Sequence, residues 1–188
     1  FFLMDKGQSK DKLIDLRRDI CERYITDRHY RFVEARSPER ERGDVGYKAS
    51  VDDLNLAKQR TFERLINEEM SDDQCGGFLV WGDPALYDST LRILQAILAS
   101  GACAFEFEVI PGITSVQALA AQHKVTLNQI GGSIEITTGR RLAAGQVSDA
   151  DSLVVMLDAQ DAYHQVADRE TDIYWGAYLG TPDEILIS

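Results

Sequence analysis

The sequence predicts an α/β fold: two α/β domains, the first with a parallel sheet and the second with a mixed one. Three observations carry this. Short, wholly apolar runs such as Phe1–Met4 and Phe78–Trp81 alternate with longer segments whose apolar residues recur at helical spacing. Strands that are apolar at every position are buried on both faces, which in a strand–helix rhythm means a parallel sheet covered by helices. Past Asn128 the pattern changes, and Ser133–Thr138 alternates as a half-exposed strand does. The expected division is therefore 1–128 and 129–188.

The elements follow in order. Phe1–Met4 reads as a buried strand ahead of Asp5-Lys6-Gly7. Leu13, Leu16, Ile20 and Tyr24, with Cys21 and Ile25, mark an amphipathic helix over 10–26. Tyr30–Glu34 reads as a short strand, and the polar stretch 35–48, with Pro38 and two glycines, as an exposed loop. Val51, Leu54, Phe62, Leu65, Ile66 and Met70 mark a second helix, with Asp52 and Asp53 in its first turn, where the helix dipole favours acids. After Gly76-Gly77 comes strand 78–81, then a helix through Leu86, Leu91, Leu94, Ile97 and Leu98 closed by Gly101. Strand 104–110 leads through Pro111-Gly112 into an Ala- and Leu-rich helix ending at His123. Beyond the division, strands are expected at 152–157, 172–178 and 184–187, with a helix at 160–168. Both ends look cut, since the chain starts and stops inside apolar runs. It reads as the middle of a longer protein.

Composition narrows the function. Twenty Lys and Arg against thirty-one Asp and Glu give a net charge of −11, and such a surface repels nucleic-acid phosphate. Cys21, Cys75 and Cys103 are widely spaced and odd in number, which suits neither a zinc cluster nor a disulfide framework and points to reducing, cytoplasmic conditions. His29, His123 and His164 show no metal-ligand spacing. No apolar run reaches the roughly 18–20 residues of a membrane helix.

Two segments stand out as sites. In Val80-Trp81-Gly82-Asp83-Pro84-Ala85-Leu86-Tyr87 the chain leaves an apolar strand, at the sheet edge where open α/β folds bind ligands. Gly82 lets backbone approach a ligand and Asp83 offers a carboxylate. Asp83 as N-cap with Pro84 in the first helical turn describes an ordinary helix entry equally well. Trp81 reads either as a ligand-packing ring or as core. The second segment, Glu108 to Gln117, also turns from a strand into a helix, and Thr114 and Ser115 place hydroxyls at that helix start. Capping alone accounts for those hydroxyls.

Taken together, Gly82-Asp83-Pro84-x-x-Tyr87 and Val109-Ile110-Pro111-Gly112-Ile113-Thr114-Ser115, one helix and one strand apart, resemble the tetrapyrrole (corrin and porphyrin) methylases. The stretches 81–93, Ile136-Thr137-Thr138-Gly139-Arg140-Arg141-Leu142 and Trp175-Gly176-Ala177-Tyr178-Leu179-Gly180 extend the resemblance over essentially the whole chain. It implies two α/β domains flanking a cleft, S-adenosylmethionine as cofactor, and usually a homodimer. The activity implied is methyl transfer to ring carbon C1 of precorrin-5, with release of acetate, in aerobic cobalamin biosynthesis. Another methylase of the family, or a non-catalytic binding protein that keeps the fold, is the alternative.

Residue by residue, the resemblance carries cofactor binding onto Trp81, Gly82, Asp83 and Pro84, onto Thr114 and Ser115, and onto Leu157, Leu179 and Gly180. Asp158 stands where the family's pattern has glycine. Asp83 and Tyr87 are the candidate catalytic groups, for the water and base that deacetylation needs. For the substrate's carboxylates in so acidic a chain, the candidates are Arg140 and Arg141, with Lys6 as a further one, because guanidinium pairs with carboxylate bidentately. Arg92, inside a helix, is a weaker candidate. The family's glycine-rich opening strand and turn and its last strand and helix find no counterpart here.

Overall fold

The computed structural model describes residues 1–5, 11–27, 29–38, 47–146, 149–167 and 170–188. They form two compact units, Phe1–Gly112 and Ile113–Ser188. The break falls after Gly112, so the helix ending at His123 belongs to the second unit.

The first unit rests on a parallel ladder. β1 (Phe2–Asp5) pairs with β2 (Val33–Arg36), Phe2 opposite Val33 and Asp5 opposite Arg36. Parallel neighbours need a crossover, which α1 (Asp11–Tyr24) supplies. On the other side Phe2 bridges in parallel to Phe78, and its N–H donates to the Gly77 carbonyl at 2.8 Å. α2 (Tyr47–Glu69) and α3 (Thr90–Ser100) pack together, burying Phe62 from one and Ile93, Leu94 and Ile97 from the other, while Leu65 of α2 is buried with Phe2 and Ala35. α3 stops where Gly101 turns left-handed, at φ 71°.

Phe78 joins the core. Its ring stacks on Phe62, with centroids 4.2 Å apart, and lies 4.8 Å from Phe2, so it touches both buried clusters of this unit. Aromatic pairs at this spacing add to plain apolar burial. The consequence is positional, because Phe78 fixes the start of the segment that carries Trp81, Gly82 and Asp83.

In the second unit α4 (Ser115–His123) precedes β3 (Ile134–Thr138), α5 (Gly139–Ala143) and β4 (Ser152–Met156). β3 and β4 are parallel, Ile134 opposite Ser152 and Thr138 opposite Met156. A 3-10 turn spans Ala162–Gln165, and β5 (Trp175–Ala177) pairs antiparallel with β6 (Ile185–Ile187). Gly176 has a packing reason: a Cβ there would lie 2.7 Å from Leu119 Cδ1, so glycine lets α4 close on the β5–β6 pair.

Several sequence expectations change. α2 begins at Tyr47, inside the stretch read as loop, which places Asp52 and Asp53 beyond its first turn. α3 begins at Thr90, leaving Leu86 outside. Strand 78–81 shrinks to the single bridge at Phe78, and 104–110 has no ladder partner among the described residues. That segment keeps a strand's alternation, since Cys103 and Phe105 turn into the core, but Val109 and Ile110 face out. Its two apolar ends, Cys103 and Val109-Ile110, thus lie in different surroundings, one in the core and the other exposed. The helix expected at 160–168 is only the 3-10 turn.

Candidate functional site

Asp83 sits at the end of the segment that Phe78 anchors, and both of its carboxylate oxygens are engaged. Oδ1 accepts from the Ala85 N–H at 2.8 Å, closing a tight turn, and Oδ2 accepts from the Gly112 N–H at 2.8 Å. The Gly112 bond, then the Ala85 bond, holds the Asp83 carboxyl below the usual carboxylate range, because each stabilises the charged form. The two segments are pressed together at their glycines. A Cβ on Gly112 would come within 2.0 Å of the Gly82 carbonyl oxygen, and Gly82 itself has φ 65°. The loops singled out by sequence thus meet through Asp83, Gly82 and Gly112.

The role of Asp83 differs from a helix N-cap. α3 starts later, after Ser89, so Asp83 caps the turn at 83–86, where Leu86 N–H also donates to the Asp83 carbonyl at 3.2 Å. Pro84 is buried in that turn and not in a helix. Tyr87 follows at φ 52° with its ring half-exposed. Left-handed backbone in a non-glycine residue costs energy and collects at functional sites. Trp81 is 42% exposed, so it is not a core ring, and the Arg17 guanidinium carbon lies 5.2 Å from its centroid.

Thr114 is spent on capping. Its hydroxyl accepts from the Gln117 N–H at 3.3 Å while the Gln117 side chain takes the Thr114 N–H at 2.8 Å, a reciprocal box that starts α4. Ser115, the first residue of α4, is exposed. In the second unit Leu157 follows β4 at φ 55° and is 75% exposed. Asp158, the departure from glycine, has a local reason: its carboxylate accepts from the Gln160 and Tyr163 N–H groups at 3.2 and 3.3 Å and lies against Gly139. Leu179 is half-buried, and Gly180, at φ 74°, donates its N–H to Glu184 at 2.7 Å. Among the described residues, chain neighbours aside, no atom lies within 4 Å of a Cβ placed on Gly180. Arg140 and Arg141 are exposed on α5, whose start is capped by Thr138. Lys6 lies outside the described residues.

Sequence reasoning missed two cations beside this loop. Arg17, on α1, is partly buried, and burial lowers its pKa; its Nε has no hydrogen-bond partner among the described residues. Lys58, on α2, is partly buried too, with its pKa lowered chiefly by burial, and its Nζ reaches Ser89 Oγ at 3.3 Å. Charged residues within helical periodicity give no sequence signal of this kind. Among the described residues no group of three or more His, Cys, Asp or Glu forms a metal site, and no helix is long and apolar enough to cross a membrane.

The glycine–aspartate loop at 82–83 and the proline–glycine loop at 111–112 thus meet in one unit of an α/β protein. The family model described as tetrapyrrole (corrin/porphyrin) methylases matches residues 10–188, and the chain belongs to that family. It is 49% identical over 187 residues to a protein of Sinorhizobium sp named precorrin-6A synthase [deacetylating], covering 100% of this chain and 72% of that one. It is also similar to a crystal structure of a cobalamin synthesis related protein (CobF) from Corynebacterium diphtheriae, with a TM-score of 0.78 and 34% identity over 99% of this chain and 72% of that one.

Proposed function

We propose that this chain is an S-adenosylmethionine-dependent methyltransferase of cobalamin biosynthesis that methylates precorrin-5 at C1 and releases the extruded acetyl group as acetate, giving precorrin-6A. The observation that carries it is the 49% identity, over the whole of this chain and 72% of the relative, to a protein named for that deacetylating synthesis. The layout of two α/β domains with a cleft, a cytoplasmic location and a homodimer belong to the same reading.

The residues present fit the methyl donor. Gly82 and Gly112 bring bare backbone to one place, Leu157 offers an exposed apolar side chain, and Gly180 leaves open space where a Cβ would stand. We assign Trp81–Pro84, Thr114, Ser115, Leu157, Leu179 and Gly180 to holding it. When bound, the sulfonium supplies an electrophilic methyl group to the electron-rich macrocycle carbon.

The chain's own part is alignment and exclusion of water, which can lower the barrier substantially without any protein-borne nucleophile. Asp83, committed to two backbone donors and held ionised, fixes the loop and places a permanent negative charge beside it. A carboxylate so stabilised is a weak base, which makes Tyr87 the better candidate for orienting the water of deacetylation. Arg140 and Arg141, and Lys6, are assigned to substrate carboxylates. Incubation with precorrin-5 and methyl-labelled donor tests the reading: it expects one labelled methyl in the product together with free acetate. Binding of S-adenosylhomocysteine without any methyl incorporation would leave only a binding protein.

A further inference from the structure

The geometry points to a carboxylate-recognition patch formed by Arg17 and Lys58 beside the Trp81–Ser89 loop, which takes acidic side chains of the tetrapyrrole substrate; the inference rests on the function proposed above. Arg17 reaches the loop from α1, its guanidinium over the Trp81 ring at 5.2 Å, with Nε shielded from water and without a partner among the described residues. Lys58 reaches the same loop from α2, through its 3.3 Å contact with Ser89 Oγ. Both cations lie within electrostatic range of Asp88, and Lys58 also of Arg92. Asp88 already spends Oδ1 on the Thr90 N–H, at 2.6 Å. Among the described residues no carboxylate stands within ion-pair distance of Arg17, Lys58 or Arg92.

Partly desolvated cations lacking a paired carboxylate are costly to keep, and an incoming carboxylate relieves that cost. Arg17 supplies the planar fork that matches a carboxylate and Lys58 a mobile point charge. The patch is locally positive in a chain of net charge −11, so it also orients a polyanionic substrate. Its neighbour Trp81 adjoins Gly82 and Asp83, the residues assigned to the methyl donor. The flat ring and the cations together suit a macrocycle edged with carboxylates.

The test compares Arg17→Gln, Lys58→Met and Arg17→Lys with a control, Arg64→Gln, which removes an equal charge from an exposed ion pair with Glu68 on α2. Steady-state kinetics with precorrin-5 should show KM raised about tenfold in Arg17→Gln and Lys58→Met, the size of one lost charge-assisted pair. kcat and the calorimetric affinity for S-adenosylhomocysteine should stay at wild-type values, Arg17→Lys should recover part of the loss, and the control should match wild type. Unchanged KM in both variants of a wild type that turns over precorrin-5 overturns the patch alone. Loss of S-adenosylhomocysteine affinity in step with KM overturns it in favour of a structural role for the cations. A wild type that binds S-adenosylhomocysteine but never methylates precorrin-5 overturns the proposed function, and the patch with it.

Discussion

The carboxylate of Asp83 accepts the backbone N–H of Gly112 at 2.8 Å, a bond that spans 29 positions of sequence. Its second oxygen holds Ala85. One side chain therefore sets the turn it stands in and ties that turn to the next loop. Asp83→Ala removes both bonds, and we expect S-adenosylhomocysteine affinity to fall roughly tenfold by calorimetry. Asp83→Asn, which keeps a carbonyl acceptor, should lose less. Equal affinity in all three proteins would detach the bond from ligand binding.

Gly112→Ala tests the close approach itself. A Cβ would meet the Gly82 carbonyl oxygen at 2.0 Å, and backbone cannot rotate away as a side-chain tip can. The loops must part, and ligand affinity should fall while far-UV circular dichroism stays that of a folded protein. Wild-type affinity in this variant would mean that the approach is incidental.

The pH dependence follows from the direction of the Asp83 shift. Its folded pKa is depressed, so the contribution of the charged form is fully present above the ordinary carboxylate value and is lost as pH falls through the lower, folded value. S-adenosylhomocysteine affinity should therefore be flat through the neutral range as far as Asp83 is concerned. In wild type it should decline only at acid pH, with a smaller decline in Asp83→Asn. A titration of this loop near neutrality would contradict that, and carbon-13 NMR of the aspartate carboxyls reads it directly.

Phe78→Ala should destabilise the first unit by about 3–5 kcal/mol, since the ring stacks on Phe62, lies against Phe2 and reaches both clusters. Urea unfolding measures this. A loss under about 1 kcal/mol would show that the site loop is anchored elsewhere.

Arg140→Ala should raise the apparent KM for precorrin-5 and leave S-adenosylhomocysteine affinity unchanged, because the side chain is exposed on a short helix and removing it opens no cavity. An unchanged KM removes Arg140 from the substrate's path.

How far the sequence could be read depends on the kind of signal each residue gives. Helices with an apolar stripe were legible: α1 lies within a few residues of the 10–26 expected, and α3 ends at the expected Gly101 but starts at Thr90, after Leu86. Asp83 and Gly112 were legible as members of two loops, because glycine and aspartate at strand ends carry local backbone meaning. Their mutual bond was not, since no periodicity encodes a contact between distant loops. The start of α2 was misplaced because its first turn lacks acids to mark it, and Asp52 and Asp53 invited a later start. The segment 104–110 misled for a different reason: alternating Cys103, Phe105, Phe107 and Val109 describe an extended chain whether or not a neighbour pairs with it. Arg17 and Lys58 were invisible, since a cation in a helix looks the same in sequence whether it points to water or toward a loop.

The most direct measurement is a crystal structure of the protein soaked with S-adenosylhomocysteine. The account predicts the ligand in contact with the backbone of Gly82 or Gly112, with the Asp83–Gly112 bond intact beneath it. A ligand held wholly by other residues, with side chains packed over that pair of glycines, would contradict it.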